Sequence, residues 1–177
     1  HPSGSLFTHV TSGVLMKLNR ALMLATLAVS ASFAHANDPK ATIADLDGRL
    51  SKIGAPRVEG TDSVAGKTVP ALFFGERKIN NNFDVVDAIR KTHQATATVF
   101  VKEGDEFVRV STNVLTPEGK RGVGTQLARN AAYDSVSKGQ QFCGPIDVLG
   151  TAFDACYNPI KDASGKVIGA SYIGHKK

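Results

Sequence analysis

Apolar residues recur at Ile43, Leu46, Leu50 and Ile53, spacings that put all four on one side of an α-helix. Asp38-Pro39 opens this segment, with proline at the first helical position, where its missing N–H costs nothing. Gly54-Ala55-Pro56 ends it. The predicted helix runs over 38–53 and lays its apolar stripe on a sheet. Arg57 to Lys67 is polar and contains Gly, and reads as a loop. Thr68 to Phe74 is short and apolar, but Pro70 cannot donate a ladder hydrogen bond and restricts the run to an edge strand. Gly75-Glu76-Arg77-Lys78 reads as a turn. Asn80-Asn81-Asn82 is a candidate cap for a helix from Phe83 to His93, with Phe83, Val86 and Ile89 on one side.

The pattern then changes to strands. Ala95 to Lys102 is rich in β-branched residues, Glu103-Gly104-Asp105-Glu106 is a short hairpin turn, and Phe107 to Val114 returns. Pro117 and Gly119 mark a turn, and a short helix is predicted over 126–137, ended by Lys138-Gly139. Three runs follow, Gln140–Leu149, Thr151–Ile160 and Lys166–His175. Their separators are too short for a parallel crossover, so they form an antiparallel meander. The outline is α+β, one antiparallel sheet of about five strands with helices.

Charge and composition add little to this outline except at the N-terminus. The 177 residues are 42% hydrophobic and 21% charged, as in one globular domain. The 7% aromatic content and the absence of Trp argue against a stacking platform for nucleic acid. Met16-Lys17-Leu18-Asn19-Arg20 is a basic leader, Ala21 to Phe33 is apolar, and Ala34-His35-Ala36 is a small-x-small site. Together they read as a signal peptide over 16–36, cut after Ala36 and preceded by upstream residues 1–15. The apolar run is too short to span a bilayer comfortably. Loss of Lys17 and Arg20 lowers the net charge from +5 by two, to +3, without a basic cluster of nucleic-acid type. The remainder, 37–177, is expected to be a single exported domain, periplasmic or secreted, with no further membrane span.

The chemistry-bearing residues are few. Arg109 stands between valines in the return strand, where a buried guanidinium needs an anionic ligand or a structural Asp or Glu. Lys120 and Arg121 beside Gly122 and Gly124 offer cations and backbone N–H groups for an anion, or merely a solvated basic turn. Thr125 is a candidate helix cap, and Tyr133 on the following helix faces either a pocket or the core. Phe153, Ala155 and Tyr157 alternate and share a strand face. Cys143 and Cys156 are an even pair in an exported chain, which favours a disulfide over two thiols or a metal half-site. No zinc-ligand spacing, cofactor motif or nucleophile–base set is present, and Gly119 to Thr125 is not a phosphate loop because its Lys precedes the glycines.

In order along the chain, Phe107-Val-Arg-Val-Ser-Thr-Asn-Val114, Gly119-Lys-Arg-Gly-Val-Gly-Thr125, Asp147-Val-Leu-Gly150, Tyr157-Asn-Pro-Ile160 and Gly165-Lys-Val-Ile-Gly169 resemble the Cache family, the Cache 3/Cache 2 fusion type above all. The resemblance covers about Val69 to Lys176. It implies a PAS-like extracytoplasmic sensor domain, with a long N-terminal helix behind a central antiparallel sheet and a small-ligand pocket on its other face. With no nucleophile–base set in the sequence, the chain is expected not to be an enzyme. Such domains sit in receptors between membrane spans, whereas this chain looks like a free-standing exported form, with a separate membrane receptor as the partner it would signal through. Related dicarboxylate sensors carry an Arg-x-x-His pattern on this strand. Here it is Arg109-Val-Ser-Thr112, and basic groups expected at two meander positions are Ala155 and Tyr157. The loss of positive charge implies a small organic acid held by Arg109, hydroxyls of Ser111 and Thr112, Lys120, Arg121, and the aromatic walls of Tyr133 and Tyr157. The alternative is an interaction module with a vestigial pocket. In relatives an aromatic is expected near Cys143 and a small residue near Cys156. Both departures are cysteines on strands of one meander, which sharpens the disulfide expectation.

Overall fold

A computed structural model describes residues 37–177, so the expected signal peptide lies outside the described residues. The first element, α1 (Pro39–Ile53), starts where its sequence says it should. Asp38 is the N-cap and accepts from Lys40 N, and Pro39 follows it. Ile43, Leu46 and Leu50 are buried along one stripe. After α1 come β1 (Pro56–Val64), β2 (Lys67–Phe74) and β3 (Arg77–Lys78), an antiparallel sheet in that order. The loop expected over 57–67 is therefore mostly strand. Its alternation is hidden because β1 is a largely exposed edge, and an irregularity between Val58 and Thr61 interrupts the register. The turn expected at Gly75 to Lys78 includes β3. Pro70 sits where β2 has only β1 beside it, since β3 reaches just Phe73 and Phe74.

Asn80 is buried and acts as a clamp, its Oδ1 accepting from Leu72 N and its Nδ2 donating to the Pro70 carbonyl. Asn82 Oδ1 accepts from Asp84 N at the start of α2 (Asp84–His93). The hairpin follows as β4 (Thr96–Glu103) and β5 (Glu106–Thr112). Helix α3 is shorter than expected, Ala131–Ser137, with the Asn130 side chain accepting from Tyr133 N. The preceding residues are committed elsewhere. Thr125 and Leu127 hydrogen-bond Arg109 and Phe107 along the open edge of β5, so 122–127 forms a strap there. The meander is β6 (Phe142–Val148), β7 (Thr151–Lys161) and β8 (Val167–Lys176).

These five strands make one antiparallel sheet in the order β5-β4-β8-β7-β6. The fold is thus α+β and PAS-like, with a second sheet of three strands that the expected single sheet did not include. Each face of the five-stranded sheet has its own core. On one, α1, α2 and β2 cover Ala97, Val99, Val101 and Ile173. On the other, α3 covers Phe100, Phe107, Tyr157 and Tyr172. No helix among the described residues is long and apolar enough to cross a membrane.

Candidate functional site

The site is built on β5, and a bulge decides which residues share it. Val99 pairs with Ser111 and Phe100 with Arg109, so Val110 is an extra residue in β5. Without the bulge, Arg109 and Thr112 would point to opposite faces. With it, both lie on the α3 face, and Ser111 turns to the α1/α2 face, where its hydroxyl donates to the Asn82 carbonyl. Arg109 is 3% exposed. Its Nη1 donates to Thr125 Oγ1 and to the Gln126 carbonyl, both at 3.0 Å, and its guanidinium carbon lies 5.0 Å above the Phe100 ring centroid. Among the described residues the buried Nε has no partner. No carboxylate pairs with Arg109 among the described residues. The side chain that sequence alone leaves between a ligand and a structural acid has only neutral partners here.

The other expected site residues scatter. Thr112 shares Arg109's face, but its hydroxyl is engaged with Thr98 Oγ1 at 2.7 Å and with the Ala97 carbonyl. Arg121 forms a bidentate pair with Asp87 of α2, at 2.7 and 2.9 Å, and lies over the Phe83 ring. Gly122 N and Gly124 N donate to Val114 O and Arg109 O, so the anion concavity expected there has no open donor from these groups. Lys120 is exposed. Tyr133 is half-buried, its ring edge-on to Phe107 and its hydroxyl donating to the Asp105 carbonyl. Tyr157 is buried on the α3 face with Phe153 and Ala155. Cys143 and Cys156 are opposite each other in β6 and β7 and form a disulfide.

The family model of the Cache 3/Cache 2 fusion domain matches residues 24–177. The chain belongs to this family. Domains of this kind are extracytoplasmic sensor modules. Among solved structures, the crystal structure of the E. coli DcuS sensor domain matches with 19% identity and a TM-score of 0.39, over 52% of this chain and 63% of that one. The match therefore spans less than two thirds of that structure. None of the curated proteins searched matches the chain.

The electrostatics of this Cache domain follow from burial. Desolvation lowers the Arg109 pKa from its ordinary value, and the nearby Tyr157 and Tyr172 partly offset it. Burial pushes both phenols well above the ordinary tyrosine range, so their hydroxyls stay protonated. The two rings lie 4.8 Å apart. Tyr172 carries no motif of its own in the sequence, although its alternation with Ala170 in β8 places both on the α3 face. Gly174 makes room for it, since a Cβ there would lie 2.1 Å from the Tyr172 hydroxyl oxygen. Thr125, read as a helix cap, instead helps to hold Arg109. Nothing local signals that role.

Proposed function

We propose that this Cache domain is a non-enzymatic sensor that binds a small organic acid, with Arg109 as the anchor. The observation that carries the reading is the buried Arg109 guanidinium, whose donated bonds all come from Nη1 and whose Nε has no partner. Nε and Nη2 form the two-donor edge that a carboxylate accepts side-on. An uncompensated buried cation is costly, and an incoming carboxylate removes that cost. The protonated Tyr157 hydroxyl lies on the same face among otherwise apolar side chains, surroundings that suit a singly charged acid better than a polyanion. In this reading the chain is exported by a signal peptide cut after Ala36 and passes its signal to a separate membrane receptor.

A second reading is favoured by one observation. Phe100, Phe107, Phe153, Tyr157 and Tyr172 fill the α3 face, as they would in an interaction module with a vestigial pocket. A thermal-shift panel of small carboxylates separates the two. The first reading expects a rise in melting temperature with at least one acid, since saturation at about 100 times Kd adds about 2.7 kcal/mol, and loss of that rise in Arg109→Met. A flat response across a broad panel, or a rise that persists in Arg109→Met, sinks it and leaves the interaction module.

A further inference from the structure

A cleft of about 450 Å³ opens at the end of the five-stranded sheet where β4 and β7 begin and β5, β6 and β8 end. Its lining does not include Arg109, Thr112 or Tyr157. We propose that this cleft is a separate binding site for a monocarboxylate with an apolar body, its carboxylate held by Arg90 and Lys176. One wall is apolar, made by Val114, Leu115, Val148 and Phe153. Leu115 is 49% exposed, one of two large apolar side chains left exposed among the described residues. Gln94, Thr96, Asn113 and Thr151 give it neutral polar groups, and Arg90 and Lys176 are its two cations, neither in an ion pair among the described residues. No Asp or Glu lines the cleft.

Those features act together. A cleft of this size is in the range that encloses small ligands. Two cations in a cleft lined by no acid favour a negative group. The apolar wall excludes a fully hydrated anion and rewards a hydrocarbon body. The carbonyls of Arg90 and Lys91 in the last turn of α2 are satisfied by Gln94 N and Nε2, so these groups do not compete for the cations. Thr96 lines the cleft and hydrogen-bonds the Tyr172 hydroxyl at 2.9 Å, so an occupant lies one contact from the core of the α3 face.

Octanoate titrated into the ¹⁵N-labelled domain, with octanamide and acetate as controls, tests the site by NMR. The expected result is saturable shifts at Thr96, Leu115, Thr151 and Lys176 with octanoate. Octanamide and acetate should bind at least tenfold more weakly. Arg90→Ala with Lys176→Ala, both exposed and in no ion pair among the described residues, should weaken octanoate binding at least tenfold while leaving the melting temperature of the free domain unchanged. Arg109→Met should leave it intact, which separates this site from the Arg109 site. Absence of shifts up to about 10 mM octanoate, equal binding of octanamide, undiminished binding by the double variant, or loss of binding in Arg109→Met would each overturn the proposal.

Discussion

Breaking the Cys143–Cys156 bridge is the perturbation whose size follows most directly from the fold. The two residues are 13 apart in sequence and directly opposed across β6 and β7. In the chain-entropy account, releasing a loop of this length frees the unfolded chain by about 3 kcal/mol at 25 °C. The native state should change little by itself, because the ladder from Phe142↔Tyr157 to Val148↔Thr151 holds the same register. For a domain of this size about 3 kcal/mol corresponds to a fall of roughly 10 °C in melting temperature. The effect should also be local. β6 is an edge strand whose only strand neighbour among the described residues is β7, so it opens first when the bridge is gone. Differential scanning calorimetry of the oxidised and fully reduced protein measures the shift, with intact mass confirming a gain of two hydrogen atoms. The Cys143→Ser, Cys156→Ala double variant checks it without reductant, since Cys156 is fully buried and a hydroxyl there would add its own penalty. Hydrogen exchange should accelerate in β6 and remain slow in β4 and β8. A verified reduction that moves the melting temperature by less than about 2 °C would refute the loop-entropy reasoning.

Three further outcomes follow from single positions. Asp47 accepts from Ser171 Oγ and Asn158 Nδ2, yet burial raises its pKa from the ordinary value. Its folded state thus favours the protonated form, and the associated stability is present below the unfolded pKa and lost as pH rises through the folded one. Asp47→Asn should raise the melting temperature at pH 7 and lose that advantage near pH 4, and a difference that is the same at both pH values contradicts this. A Cβ on Gly169 would lie 2.2 Å from the Phe100 carbonyl oxygen, so Gly169→Ala should cost about 3 kcal/mol in chemical denaturation by forcing β8 from β4, and a neutral result would show that the strands yield freely. Arg109→Met should leave the ligand-free domain as stable or more stable by about 1–3 kcal/mol, because it removes a buried cation without an acid partner, whereas a drop of several degrees would mark Arg109 as structural.

Much of the architecture was legible because it is written in local periodicity. The stripe Ile43, Leu46, Leu50 marks α1 regardless of what it packs on, and all three are buried. The hairpin β4–β5 and the meander β6–β8 follow from alternation and short separators, and both are present in the expected order. β1 was not legible, because an exposed edge strand with an interrupted register carries neither alternation nor an apolar run. The shortening of α3 was equally hidden. Residues 122–127 satisfy their backbone groups on the edge of β5, and nothing in their own composition says that this edge is free.

The candidate site divides along the same line. Sequence alone determined that Arg109 lies in a buried strand, that Phe153, Ala155 and Tyr157 share a face, and that Cys143 and Cys156 fall on adjacent antiparallel strands, because regular alternation and short separators are local properties of the chain. Tertiary structure decided the rest. The extra residue at Val110 brings Arg109 and Thr112 together and sends Ser111 away. Arg121 meets Asp87 across 34 positions and so leaves the site. The property on which the proposed function rests, a buried guanidinium with no acid beside it among the described residues, depends on which segments converge from distant parts of the sequence. Burial and partnership are sums over contacts in space, and a strand's local pattern carries no record of them.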